Sequence, residues 1–370
     1  VPSPPTTPPP RSPQPERGTP SAPTRPPRRT QPSQPRTPTT PLTPTIADTI
    51  ARHDYFLRRR DLLALGFRDG HIRGELARRA IFRVRQGWYS IPSAPDAAVR
   101  AVRVGGRLTG TSALESYGIP VPHRPRLQVT VAATACRLRN PLDRHRRLSR
   151  SHDVGVQWTG QGGSIRYESP WRVTVTEALA AVLRSEGRDV AVACADLALR
   201  FDMVTPADVA TLFADAPRRT GRWHRLVDGR SDSHGETFVR LWLGDAGIRF
   251  EPQPRLAGVG RLDGRVSRYT YLEIDGSQHD APTEGPVDAA SSQFERDRHR
   301  DTVAAIDGKR VLRFTYRQLY TSWHMCLAAV RRAVADDARR ELAERDAARY
   351  RKRRRKRVDG RNGGTATTDP

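Results

Sequence analysis

Arg261 to His279 reads RLDGRVSRYTYLEIDGSQH, and this stretch decides the fold of the C-terminal part of the chain. It carries three carboxylates, Asp263, Glu273 and Asp275, with His279 four residues after the last. From Tyr271 to Asp275 polar and apolar residues alternate. Side chains on a strand alternate faces, so Glu273 and Asp275 share one face while Leu272 and Ile274 enter a core. Residues i and i+2 lie about 6.6 Å apart along a strand, within reach of one cation. Asp263 ends an earlier short run, and a turn over Gly264 to Ser267 folds it back as an antiparallel neighbour. Hard oxygen ligands gathered on one sheet face suit Mg²⁺ or Mn²⁺, and such an ion can clamp a phosphodiester and generate hydroxide. A plainer reading stands beside this one: Asp-Gly is an ordinary turn dipeptide, and Glu on an open strand face is commonly just solvated.

Residues downstream of His279 extend the pattern. Ser291 to Ile306 reads as a helix stopped by Gly308 at a C′-like position, and Arg310 to Phe314 reads as a second strand. Strand, helix and strand make a βαβ unit. The carboxylates then fall at a strand's C-terminal end, where open α/β sheets bind ligands.

Glu236, Gln253, Asp263, Glu273-Ile274-Asp275-Gly276, His279, Asp297, Arg300-Asp301, Gly308 and Val311-Leu312-Arg313 form an ordered series. It resembles the very-short-patch-repair-like branch of the PD-(D/E)XK nuclease superfamily. The resemblance implies a restriction-endonuclease-like α/β domain over residues 231–334. It implies Mg²⁺ or Mn²⁺ held by Asp263, Glu273 and Asp275, with His279 as general acid/base or orienting the attacking water. Glu236 matches the family's leading acid near the metal. It also fits a simpler role as the third residue of a capping box begun by Ser233. The general superfamily pattern has acid-x-Lys, and Asp275 stands where that lysine would be, as in the repair-like branch.

The net charge of +24 and a pI near 11.2 point to a polyanionic partner, most simply nucleic acid. Nearly all the basic residues are arginine, with lysine only at 309, 352 and 356. Cys136, Cys194 and Cys326 lie far apart, which argues against a disulfide framework or a zinc site. No apolar run approaches the ~18 residues of a membrane span and no signal-peptide pattern opens the chain, so a cytoplasmic location is expected. Residues 1–43 hold more than half of the 31 prolines and are predicted to be disordered.

From Thr45 to about residue 95 the sequence predicts three helices and a hairpin. Ile46, Ile50 and Phe56 begin an apolar face, Asp61 to Gly66 makes a second helix, and about Asp69 to Arg79 makes a third. Ile81 to Arg85 and Trp88 to Ile91, hinged at Gln86-Gly87, form the hairpin. That order is a winged helix-turn-helix, with Arg68, His71, Arg73, Arg78 and Arg79 on its third helix and Arg83 and Arg85 on its wing. These seven are the candidate DNA contacts; the alternative is a protein-binding module with a solvated basic face.

Three pieces of this region, Arg60 to Gly66, Arg78 to Ile81 and Gly87-Trp88-Tyr89, resemble the N-terminal winged helix of the AbiEi-type antitoxins of type IV toxin–antitoxin systems. That likeness implies DNA binding and autoregulation, and the sequence shows no toxin. Residues 97–230 resemble the connecting α+β portion of the same proteins. There Thr111 to Tyr117, Thr174 to Leu183 and Val190 to Leu199 read as helices, Leu127 to Val131 as a strand, and His145 and His152 as surface residues. Beyond Tyr316 a final helix should run to Val330. Residues 335–370 then form a basic helical or disordered tail, with the run RYRKRRRKR as a phosphate-binding arm and disorder from Gly360. The whole is an α+β multidomain protein. Two functions fit it: a metal-dependent endonuclease acting on DNA, or a non-catalytic antitoxin-like regulator whose degenerate nuclease fold only grips DNA.

Overall fold

Thr45 caps the first helix: its hydroxyl accepts from the Asp48 N–H, and Asp48 reaches back to the Thr45 N–H. From there the computed structural model describes residues 44–122, 126–159, 169–275 and 298–362. It is mixed α+β, about 51% helical, with several small sheets. The disorder expected for residues 1–43 lies outside the described residues.

Helix α1 (Ile46–Arg52) is followed by strand β1 (Phe56–Arg58), α2 (Arg59–Ala64), α3 (Asp69–Ala77), β2 (Phe82–Arg85) and β3 (Trp88–Ser90). The strands form an antiparallel sheet in the order β1-β3-β2, turning at Gly87 with φ +75°. Ile46, Ile50, Leu57, Leu62, Ile72, Ile81 and Tyr89 fill the core beneath it. The sequence alone extends the first apolar face to Phe56. Instead Asp54 and Tyr55 adopt left-handed backbone (φ +54° and +69°) and turn the chain into β1.

Next come α4 (Asp96–Val104), β4 (Arg107–Leu108), α5 (Gly110–Ser116), β5 (Leu127–Ala132) and β6 (Val154–Thr159). Then come α6 (Val175–Ser185), α7 (Arg188–Arg200), α8 (Pro206–Ala214) and α9 (Arg218–Gly221). The sheet order is β4-β5-β6, with β5 and β6 parallel. Thr174 and Thr205 cap α6 and α8 by the same reciprocal bonding seen at Thr45. One apolar core, from Val84 through Val129, Leu179 and Leu197 to Phe213, runs through this region.

The last part comprises α10 (His234–Asp245), β7 (Glu251–Pro252), β8 (Arg255–Leu256), β9 (Gly260–Arg261), β10 (Gly264–Arg265) and β11 (Thr270–Asp275). It closes with α11 over residues 298–306, β12 (Arg310–Thr315) and α12 (Tyr316–Asn362). The main sheet runs β12-β11-β10-β7; β10 is antiparallel to both β7 and β11, while β12 is parallel to β11. Alternation along β11 works as the sequence implies. Leu272 and Ile274 pack with Val239, Leu243, Phe314 and Leu319, and Tyr271 packs on the other face with Leu256, Leu262 and Ala304. Helix α12 kinks at Ser322 and then continues to Asn362. The helix therefore does not stop at Val330 but runs on into the tail; beyond Asn362 the disorder expected from Gly360 lies outside the described residues. One anchor is Asp337, 4% exposed, which accepts hydrogen bonds from Ser267 Oγ and, at 2.6 Å, from Thr270 Oγ1.

Candidate active site

Glu236 is the third residue of α10 and is 4% exposed. Ser233 Oγ accepts from its N–H at 3.3 Å, so half of the anticipated capping box forms. The carboxylate does something else. Its Oε2 accepts from the Asp232 N–H at 2.9 Å and from Gln253 Nε2 at 2.6 Å. Gln253 sits in left-handed backbone, φ +55°, with its N–H donated to the Asp263 carbonyl at 3.0 Å. One residue thus ties the leading acid to the second one.

Asp263 precedes β10, next to the Gly264–Leu272 register pair, and its Oδ2 accepts the Ile274 N–H at 2.6 Å. It is partly buried, more enclosed than a free strand-end acid would be. Burial pushes its carboxyl up to about 6 against the pull of the Ile274 N–H, and repulsion from Glu273, Asp275 and Asp232 adds to the rise. Burial likewise pushes Glu236 up to about 7, with the Asp263 charge next in weight. Two neighbouring acids with raised pKa values are a common feature of catalytic centres.

Glu273 and Asp275 share a face of β11 as the alternation requires, both partly exposed. Glu273 is fully engaged: Arg300 Nη2 donates to Oε1 at 2.9 Å and Arg313 Nε to Oε2 at 2.6 Å. Asp275 ends the strand opposite Thr315. His279 and Gly276 lie outside the described residues.

The donors suit a hard cation in kind, since all are oxygens. Gln253 Oε1 is buried beside them with no hydrogen-bond partner among the described residues, the sort of atom a bound ion or its water would satisfy. Turning the amide over would set its oxygen against the Glu236 carboxylate, so the observed orientation is the favourable one. Still, among the described residues no three His, Cys, Asp or Glu side chains converge as a group ready to hold a metal.

Two neighbours escaped the sequence-based choice of site residues. Tyr316 comes directly after β12 and lies close against Gly235, Ser233 and Glu236; burial raises its phenol above the ordinary value. Asp232 pairs with both Arg200 and Arg261 beside the cluster. The strand-to-helix junction after Thr315 was the one available signal for Tyr316.

Of the basic residues, Arg68, His71, Arg73, Arg78, Arg79 and Arg83 are exposed. Arg78 also bonds Glu75 at 3.0 Å, and His71 Nδ1 accepts the Arg68 N–H at 3.3 Å. Arg85 is placed differently from the other six. It turns inward and is partly buried, and a Cβ on Gly105 would lie 2.1 Å from its Nη1. Burial, and then the Arg139 charge, lower its pKa. Its guanidinium lies over Gly105 at the end of α4, so it is more enclosed than the other six. Cys136 is exposed and Cys194 and Cys326 are buried; none forms a disulfide. No helix among the described residues is long and apolar enough to cross a membrane. Compared with protein-family models and with curated proteins, the chain matches none.

Proposed function

We propose that this chain is a DNA-binding protein whose C-terminal part, a PD-(D/E)XK-type fold, hydrolyses phosphodiesters with a divalent metal. The observation that carries the reading is that Asp263 lies near enough to Glu236, and to Glu273 and Asp275 on β11, for their charges to interact, beside a parallel β11-α11-β12 unit. Asp263, Glu273 and Asp275 are the residues that would hold Mg²⁺ or Mn²⁺, which when bound supplies charge to the phosphate and acidifies a water. Glu236, near neutrality, is suited to accept or return a proton at the attacking water. His279 keeps its proposed acid/base role. The α1 to β3 module, with six exposed basic residues, supports a winged helix that docks α3 in a major groove.

The occupied state of Glu273 favours a second reading, a regulator that grips DNA without cutting it. One substitution separates the two. Asp263→Asn keeps an oxygen for the Ile274 N–H and removes the charge. Cleavage of plasmid and short duplexes in Mg²⁺ or Mn²⁺ should vanish, with DNA binding retained. Equal residual nicking by wild type and variant would mark the activity as a contaminant and leave the regulator reading.

A further inference from the structure

Glu273 and Arg313 are direct partners in the parallel register of β11 and β12, so their meeting is built into the sheet. Arg300 reaches the same carboxylate from the start of α11. Neither arginine depends on Glu273 alone. Arg313 Nη1 also donates to Asp301 Oδ2 at 2.7 Å. Arg300 also donates to the carbonyls of Val259 at 3.0 Å and Arg261 at 3.1 Å. The carboxylate is 13% exposed, while Arg300 and Arg313 are 30% and 33% exposed. Both arginine side chains are therefore more exposed than the carboxylate they hold.

Resting on the nuclease reading, we propose that Arg300 and Arg313 form an exchangeable clamp. They hold Glu273 in the metal-free protein and transfer to a DNA phosphate when a divalent cation takes the carboxylate. The chemistry favours such an exchange. A guanidinium fork matches phosphate as well as it matches carboxylate. Each arginine keeps its second anchor, so it pivots by one bond rather than coming loose. The exchange also conserves pairing: Glu273 passes from two arginines to the cation, and the arginines pass from an acid to a phosphate. Metal and DNA then bind with positive coupling, because each removes what opposes the other.

Opposite signs for metal and DNA are the signature. In the full chain, Arg313→Gln should tighten Mn²⁺ binding about tenfold, the size of one charge-assisted hydrogen bond removed from competition. It should also weaken binding of a phosphorothioate duplex in saturating Mn²⁺ by a similar factor. Arg300→Gln should act in the same directions, and serves as the second variant if the loss of Arg313 disturbs β12. In a Glu273→Gln background, Arg313→Gln should no longer change Mn²⁺ affinity. Arg261→Gln removes a nearby guanidinium that bonds Asp232 instead, and should leave Mn²⁺ affinity nearly unchanged.

Circular dichroism and thermal midpoints would establish that each variant is folded. Unchanged Mn²⁺ affinity in both folded arginine variants overturns the clamp, as does tighter Mn²⁺ binding with unchanged duplex affinity. An equal gain from Arg261→Gln also overturns it, since net charge would then be the whole effect. In each of those cases Asp263-dependent Mn²⁺ binding by wild type would leave the nuclease reading standing. Wild-type protein with no Asp263-dependent Mn²⁺ binding overturns both.

Discussion

Arg240 on α10 donates through Nη2 to Asp196 Oδ2 on α7 at 2.8 Å, and Asp196 is completely buried. Thr237 Oγ1 donates to the same oxygen at 2.8 Å, and the Asp228 N–H to the other at 2.6 Å. These bonds fasten the helix that carries Glu236 to the helical layer before it. Removing one partner of a buried pair leaves an uncompensated charge, at roughly 3–5 kcal/mol. Arg240→Ala should lose about that much in denaturant unfolding above about pH 6, the value to which burial raises Asp196. The loss should shrink at lower pH, where Asp196 takes up a proton. A deficit that stays constant with pH would count against the pairing.

The carboxylate cluster should show in the pH dependence of stability. Glu236 and Asp263 titrate near 7 and 6 when folded, above their ordinary values. Between those values and the normal carboxylate range the folded state holds more protons than the unfolded one. Their contribution is therefore full at low pH and is lost as pH rises through 6 to 7. Relative to Asp263→Asn, metal-free wild type should lose on the order of 2 kcal/mol between about pH 5 and pH 8. Mn²⁺ should restore it at the upper pH and release protons on binding. Urea midpoints at several pH values measure the first effect and calorimetry in two buffers the second. A wild-type midpoint that climbs with pH while the variant's stays flat has the wrong sign.

Salt dependence tests the N-terminal module in the intact chain. Each phosphate contact adds about 0.9 to the slope of log affinity against log salt. Arg73→Ala with Arg83→Ala should flatten that slope by about 1.8 for every duplex tested. Arg85→Ala should leave the slope unaltered and lower the thermal midpoint instead, because its side chain fills the space over Gly105. A flattened slope for Arg85→Ala alone would show that it turns outward on DNA.

Gly235 on α10 lies close against Tyr316 and Ile274. An added Cβ would lie 2.3 Å from Tyr316 Cε1 and 3.1 Å from Ile274 Cγ2. Overpacking of this kind typically costs about 1–3 kcal/mol. Gly235→Ala should lower the thermal midpoint accordingly, and adding Tyr316→Leu should recover part of the loss. Wild-type stability in Gly235→Ala would mean that the helix does not seat against Tyr316.

Local pattern determined much of this molecule. Alternation from Tyr271 to Asp275 made a strand with its acids on one face. Gly308, at φ +64°, stopped α11 before β12, and Thr174 marked the start of α6. Such features depend on near neighbours, through backbone geometry and caps, and a linear chain displays its near neighbours. Tertiary structure decided what depends on distance. The Asp196–Arg240 pair joins residues 44 apart, and nothing near either residue announces the other. Glu236 was open to reading as a simple cap, and only folding set Gln253 against its carboxylate. Arg85 occupies a wing position like that of Arg83, yet Gly105 at the end of α4 leaves a space that the Arg85 guanidinium enters. Glu273 was recognisable as an acid on a strand, but its two arginine partners come from α11 and β12. Charge and periodicity set which residues could meet. Packing, which brings distant segments together under steric and desolvation costs, chose which of them did.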